Sequence, residues 1–263
     1  MAEAAATAPA KGTRPEGAQS EAEASRQVRE MFTQIAPRYD LLNHLLSGQL
    51  DRLWRARTAR RLRPVLDRAD AVVLDLCCGT GDLAFSLSRG SRARIVGADF
   101  SHAMLVRARQ KGGELLRRSR SAPEAAASMP FFEADALRLP FADACFDLVT
   151  TAFGFRNLAN YESGLREIQR VLKPSGTLAI LEFTEPPSGL LGNFYRFYFR
   201  TILPRVGGLI SGDSSAYTYL PRSVSRFFRP SELAELMTAV GYASPKFETW
   251  TFGTVALHSA KRR

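Results

Sequence analysis

Hydrophobic positions change rhythm repeatedly along this chain, and each change marks an element. Between Ser25 and Leu66 the rhythm is helical: Val28, Met31, Phe32 and Ile35 recur at helical spacing until Pro37 interrupts them. Leu41, Leu42, Leu45 and Leu46 form a second short apolar face ending near Ser47-Gly48, and a third helix over 51–62 carries Leu53, Trp54 and many arginines. The run Val72-Val-Leu-Asp-Leu76 has the β-branched, two-sided apolar composition of a buried parallel strand. From there strands and helices alternate. Further strands are predicted over 94–99, 129–133, 145–151 and 177–183, with two strand-like runs near 245–250 and 253–260. Helices are predicted from Asp82, over 103–116 with Ser101 as N-cap, over 161–172 and over 231–240, where Gly241 ends the last. The turn Lys173-Pro-Ser-Gly176 is expected to stop the third of these. This alternation demands an α/β fold with a mostly parallel sheet, helices on both faces and a helical cap over 25–66.

Composition narrows the class. Residues 1–24, rich in Ala, Glu, Gly and Pro, read as a disordered tail, leaving 25–263 as a single domain of ordinary apolar content. No run approaches the roughly 18 apolar residues of a membrane span, and the N-terminus lacks the apolar stretch of a secretory signal. Cys77, Cys78 and Cys145, without a Cys-x-x-Cys pair, argue against disulfides and metal and favour a reducing, cytoplasmic setting. The net charge of +10 comes from arginines clustered at 52–63, 107–120 and 196–229. Such a surface is either simply solvated or meets an acidic partner, nucleic acid or an anionic membrane face.

The chemistry centres on the end of the first strand. Gly79 and Gly81 permit a sharp turn and a close ligand approach before the helix at Asp82, the arrangement that seats a nucleotide-like cofactor at a strand's C-terminal edge. Gly79, Gly81 and Ala84 equally fit a dinucleotide fingerprint, so the turn alone leaves the cofactor open. Asp99, closing the second strand, suits two ribose hydroxyls in either case. Asp75, inside the first strand, is costly to bury without polar partners and is foreign to dinucleotide enzymes. Asp135, after the third strand, suits an adenine amino group.

Leu74-Asp-Leu-Cys-Cys-Gly-Thr-Gly-Asp82, Ala98-Asp99, Ala134-Asp-Ala-Leu-Arg-Leu-Pro-Phe141, Phe146-Asp147 and Val171-Leu-Lys-Pro-Ser-Gly176 together resemble class I S-adenosylmethionine-dependent methyltransferases. Phe32-x-x-Ile-Ala-Pro-Arg-Tyr-Asp-Leu-Leu-Asn43, Phe153-Gly-Phe-Arg-Asn157, the Leu203-Pro204 to Tyr217-x-Tyr-Leu220 segment and Gly253-Thr-Val-Ala-Leu-His258 are similar to the quinone C-methyltransferases of menaquinone and ubiquinone biosynthesis. The resemblance implies a Rossmann-like sheet with an antiparallel C-terminal strand and S-adenosylmethionine contacts from Asp75, Gly79, Thr80, Gly81, Asp99, Asp135, Ala136 and the backbone of Ala152, where the family often has Ser. It implies methylation of demethylmenaquinol or, alternatively, of a ubiquinone precursor. Arg156 would stabilise a developing oxyanion, Asn157 would orient the hydroxyl, and Tyr39 and Asp40 would close over the pocket. Cys77-Cys78 stands where Ala-Gly is usual, and Cys78 is the residue expected to tighten the pocket. His258, inside a terminal apolar strand, reads as a core histidine before a general base. Residues 185–229, with the aromatic and arginine-rich Asn193-Phe-Tyr-Arg-Phe-Tyr-Phe-Arg200, fit an insertion facing a polyprenyl quinol and a membrane surface. A nucleic-acid methyltransferase is disfavoured: the Pro-Pro-Tyr/Phe motif of amino methylation and the Pro-Cys of cytosine methylation are both missing.

Overall fold

The computed structural model describes residues 12–118, 129–185 and 215–263. The strands are β1 (Val72–Leu76), β2 (Arg94–Asp99), β3 (Phe131–Glu133), β4 (Phe146–Ala152), β5 (Leu172–Phe183), β6 (Ala243–Trp250) and β7 (Val255–Lys261). They lie in one sheet ordered β3-β2-β1-β4-β5-β7-β6. Pairing is parallel from β3 through β5, and β7 runs antiparallel between β5 and β6. Strand order reverses direction between β1 and β4, which opens a crevice at their C-terminal ends. Both faces of the central strands are covered, so β1 and β4 are predominantly apolar, broken by Asp75 in β1 and by Asp147, Thr150 and Thr151 in β4. Leu74 and Val149 point into one core with Leu165, Ile168, Leu233 and Met237, whereas Val73 and Leu148 point into the other with Trp54, Leu83 and Leu105. Each such fully buried aliphatic side chain contributes about 1.5–3 kcal/mol of transfer free energy.

The helices are α1 (Glu21–Ile35), α2 (Tyr39–Leu46), α3 (Leu50–Arg61), α4 (Arg63–Leu66), α5 (Asp82–Ser88), α6 (His102–Arg118), α7 (Tyr161–Val171), α8 (Ser215–Ser225) and α9 (Pro230–Val240). A 3₁₀ turn at Ala36–Arg38 carries Pro37 between α1 and α2. Two expectations change here. Ser20 caps α1 by accepting the Glu23 N–H, so the helix starts before Ser25, and residues 12–20 pack on the domain. The tail reading therefore fails for residues 12–24, whose few apolar side chains gave no signal of the backbone contacts that hold them; residues 1–11 lie outside the described residues. Lys173-Pro-Ser-Gly176 does end α7, but it forms a bulge within β5: Phe146 faces Leu172, while Leu148 already faces Thr177. Ser175 takes φ +61° at that bulge. At the start of β4, Asp147 accepts from the Val72 N–H at 2.9 Å and from Lys173 Nζ at 2.7 Å, which explains the Phe-Asp pair that opens the strand.

Candidate active site

The ends of β1, β2, β3 and β4 converge on one cavity of about 660 Å³, counting its solvent-open mouth. Gly79, Asp99, Asp135, Ala136 and Ala152 line it from the sheet, Asn157 from the turn after β4, and Tyr39 and Phe32 from the cap. Sequence-predicted residues from four strand ends and the cap thus meet at one place. Gly154 permits this closeness: a Cβ there would lie 2.3 Å from the Cys77 Cβ.

At one end, Asp99 stands under the glycine loop. Its Oδ2 accepts from the Gly79 N–H at 2.8 Å and its Oδ1 from the Ser101 N–H at 2.9 Å. Burial raises its pKa to about 6, against these hydrogen bonds. Ser101 Oγ meets Thr33 at 3.1 Å, so Asp99 itself holds the start of α6 while still lining the cavity. Asp75 lies directly behind, fully buried; its Oδ1 accepts from Thr150 at 3.0 Å and its Oδ2 has no partner among the described residues. Desolvation raises its pKa to about 7, against the Thr150 hydrogen bond. Phe100, Met104 and Leu137 form apolar walls between Asp99 and Asp135. A ribose against Asp99 and a flat purine between those walls match this donor set, so the lining fits S-adenosylmethionine.

Several expected ligands sit off the cavity lining. Thr80 is buried, its hydroxyl engaged with Asp40 and 2.9 Å from Lys111 Nζ. Lys111 also reaches Asp40 at 2.6 Å and Asp82 at 2.6 Å. Asp40 and Thr80 therefore pin α2, the glycine loop and α6 together. Gly81 faces Phe85 and Phe131. Arg156 changes most: it is 5% exposed and its Nη1 is 2.8 Å from Glu182 Oε1, bonds the Phe153 carbonyl, and leaves Nε 3.3 Å from Ser223. Burial pushes the Glu182 carboxyl up against the pull of Arg156. The expectation of an oxyanion-stabilising Arg156 is corrected: the guanidinium neutralises a buried acid and shapes the turn that presents Asn157.

At the far end, Asn157 lines the cavity and its Oδ1 is 3.0 Å from the Tyr219 hydroxyl. Tyr39 is half-buried and reaches back over the glycine loop beside Gly79, with its ring edge-on to Phe32 at 6.0 Å. Burial raises the phenol's pKa, against Arg55 and Arg156, so Tyr39 stays neutral. Of the paired cysteines, Cys77 lines the cavity, at φ +54°, while Cys78 points beneath the loop toward Gly97. Both thiols are pushed well up by burial and stay protonated. His258 is buried with Nε2 2.9 Å from the Pro230 carbonyl, and desolvation lowers its pKa to about 4. It is a core histidine, remote from the cavity lining. His44, Asp51 and Asp82 bring ligand-type atoms within 4.8 Å of one another, but Arg55 bonds Asp51 and lies 3.6 Å from Asp82, occupying the cluster with a cation. Lys111, Tyr219 and Thr13 escaped sequence reasoning; Tyr219 lies in a quoted motif, yet nothing in its letters gave its partner. The aromatic stretch 193–200 lies outside the described residues.

The chain has relatives along nearly its whole length. A sequence model of the ubiE/COQ5 methyltransferase family matches residues 19–262. The chain is 49% identical over 233 residues to a demethylmenaquinone methyltransferase of Thermus thermophilus, covering 88% of this chain and 100% of that protein. It is 47% identical to one of Deinococcus radiodurans, covering 90% and 92%, and 40% identical to a ubiquinone/menaquinone biosynthesis C-methyltransferase of Geobacter sulfurreducens, covering 91% and 90%. Solved SAM-dependent methyltransferases share the fold: one from Thermotoga maritima (TM-score 0.62, 18% identity, 89% of this chain and 99% of that one) and one from Aquifex aeolicus (TM-score 0.53, 17% identity, 75% and 85%). With its sheet order, crevice and acid-lined cavity, the chain belongs to the ubiE/COQ5 methyltransferase family and is an S-adenosylmethionine-dependent methyltransferase.

Proposed function

We propose that this enzyme methylates a ring carbon of demethylmenaquinol, yielding menaquinol. One observation carries the reading: a single cavity is lined by Asp99, Asp135, Asn157, Tyr39 and Phe32, in a chain nearly half identical to demethylmenaquinone methyltransferases over at least 92% of their length. S-adenosylmethionine supplies an electrophilic methyl on a sulfonium. Asp99 and Asp135 hold the ribose and adenine sides, and the glycine loop at Gly79 lets the backbone come close. Phe32, Phe153 and Tyr39 give an aromatic wall suited to a flat quinol ring. A ring carbon becomes nucleophilic as the neighbouring hydroxyl gains oxyanion character. An amide N–H of Asn157 stabilises that charge in a water-poor site.

A polyprenyl chain on the substrate supports a peripheral position at a membrane surface, on the cytoplasmic side. No helix among the described residues is long and apolar enough to cross a membrane. Leu53 of α3 is 60% exposed and Phe252 74%, and the neighbouring Trp54 and Thr251 join them through a 2.8 Å hydrogen bond. Arg57 and Arg60 continue the Leu53 face at helical spacing. Apolar residues flanked by arginine suit an anionic bilayer.

Purified enzyme given S-adenosylmethionine and a short-chain demethylmenaquinol should produce the methylated quinol. Labelled methyl appearing on a ubiquinone precursor alone, or on RNA alone, overturns the assignment. Co-flotation with anionic vesicles should be lost in Leu53→Glu/Phe252→Glu; flotation unchanged by that pair moves the membrane contact elsewhere.

A further inference from the structure

Asn157 is held from outside the sheet. Its Oδ1 is 3.0 Å from the Tyr219 hydroxyl of α8, its Nδ2 is 3.4 Å from the Phe153 carbonyl, and the same phenol lies 2.9 Å from Thr13 Oγ1. An amide oxygen only accepts, so the Tyr219 proton goes to Asn157 and the Thr13 proton goes to Tyr219. This order fixes the amide. Flipping it would set Oδ1 against the Phe153 carbonyl, lone pair to lone pair. Nδ2 has two hydrogens; the Phe153 carbonyl takes one, and the second is left to donate, in a residue that lines the cavity.

Thr13 is itself placed by an N-terminal strap. Its N–H donates to the Leu158 carbonyl at 2.7 Å, Arg14 Nη1 donates to the Ala159 carbonyl at 2.7 Å, and Glu16 pairs with Arg222 of α8 at 2.6 Å. A Cβ at Gly12 would fall 1.9 Å from the Ala159 carbonyl oxygen, so only glycine lets the strap lie this close to the turn. The family match begins at residue 19, after the strap.

We propose that Thr13 and Tyr219 are positioning residues, which lock the Asn157 carboxamide with an N–H toward the methyl acceptor, so that the N-terminal strap completes that end of the site. The inference rests on the acceptor developing oxyanion character, as in the proposed reaction.

The test is a double-mutant cycle on the full-length enzyme, after wild type has been shown to turn over demethylmenaquinol. Asn157→Ala should lower kcat about 100-fold, as loss of an oxyanion donor does. Tyr219→Phe should lower kcat about five- to tenfold, the scale of one hydrogen bond, with cofactor Kd unchanged and only a small drop in Tm. In the Asn157→Ala background the same change should cost under about twofold, because coupled sites are non-additive. Thr13→Val should slow turnover and Thr13→Ser should restore it. An equal loss in both backgrounds makes Tyr219 a packing residue and overturns the proposal. A second readout needs no substrate: the Asn157 side-chain amide protons, followed by NMR on ¹⁵N-labelled enzyme, should exchange faster in Tyr219→Phe. Unchanged exchange sinks the relay, whereas an inactive wild type sinks only the quinol assignment.

Discussion

The two ends of the cavity are built by different means. At the cofactor end, Gly79, Asp99, Asp135 and Ala136 sit at strand ends or within three residues of them, and Asp99 is held by backbone hydrogen bonds, taking the N–H groups of Gly79 and Ser101. At the acceptor end, Asn157 is set by side chains far away in sequence, Tyr219 and Thr13, and by the turn that Arg156 and Glu182 brace. Strand ends in a parallel sheet are rigid, so the first end tolerates little change. The second depends on elements that reach over from the cap, the strap and α8. A scaffold of this kind keeps the cofactor fixed while the acceptor site is built on additions.

Breaking the brace of the acceptor end should have the largest effect. Arg156→Ala leaves Glu182 buried without its partner, and should cost about 3–5 kcal/mol of stability by urea denaturation. Replacing both by apolar residues, Arg156→Met with Glu182→Leu, should recover much of it. An Arg156→Ala enzyme that folds as well as wild type yet turns over slowly would return the arginine to the chemistry and erase the contrast.

Next in size comes the cofactor end. Asp99→Asn should weaken S-adenosylmethionine binding by about 1.5–3 kcal/mol, the value of hydrogen bonds to a charged acceptor, readable by calorimetry. The wild-type affinity should fall as pH drops through about 6, where Asp99 takes up its proton, and the variant should lose that dependence. Stability runs the other way. The folded state keeps the proton up to about pH 6 and the unfolded chain only to 3.8, so this group's stabilising share is full below 3.8 and is lost as pH rises through 6. A wild-type affinity flat from pH 5 to 8 would remove Asp99 from the ribose.

The junction of the two ends should respond more mildly. Lys111→Met strands Asp40 and Asp82 and should cost about 1–2 kcal/mol. If the junction transmits cap closure, the KM for quinol should rise while kcat holds; equal changes in both would make the junction purely structural. His258→Gln, remote from both ends, should cost about 1 kcal/mol and leave kcat and its pH profile unmoved. Because His258 stays neutral when folded down to about pH 4, its contribution is present above 6.5 and fades as pH falls through 4. A shifted pH profile in that variant would reopen its role as a base.

Much of the cofactor end was legible in the letters, because glycine turns and strand-terminal acids act within a few residues of themselves. Asp75, Asp99 and Asp135 each announced a place by interrupting or ending an apolar run. The acceptor end resisted. Phe153-Gly-Phe-Arg-Asn157 was read with Arg156 as the reactive cation, yet Glu182, its partner across 26 residues, was read only as part of a strand. Residues 12–24 looked disordered because their packing uses backbone groups and a few polar side chains, which leave no hydrophobic pattern. The cavity is lined by Cys77, at φ +54°, and not by Cys78, on which the letters put the tightening.

The sequence by itself determined the alternating α/β order, the glycine turn, the acids beside it and the family, since each rests on local periodicity or on contiguous motifs. Tertiary structure alone decided which polar side chains face the cavity and which neutralise one another. That choice depends on long-range partners, and a buried charge or amide takes its role from whatever the fold brings within hydrogen-bond distance.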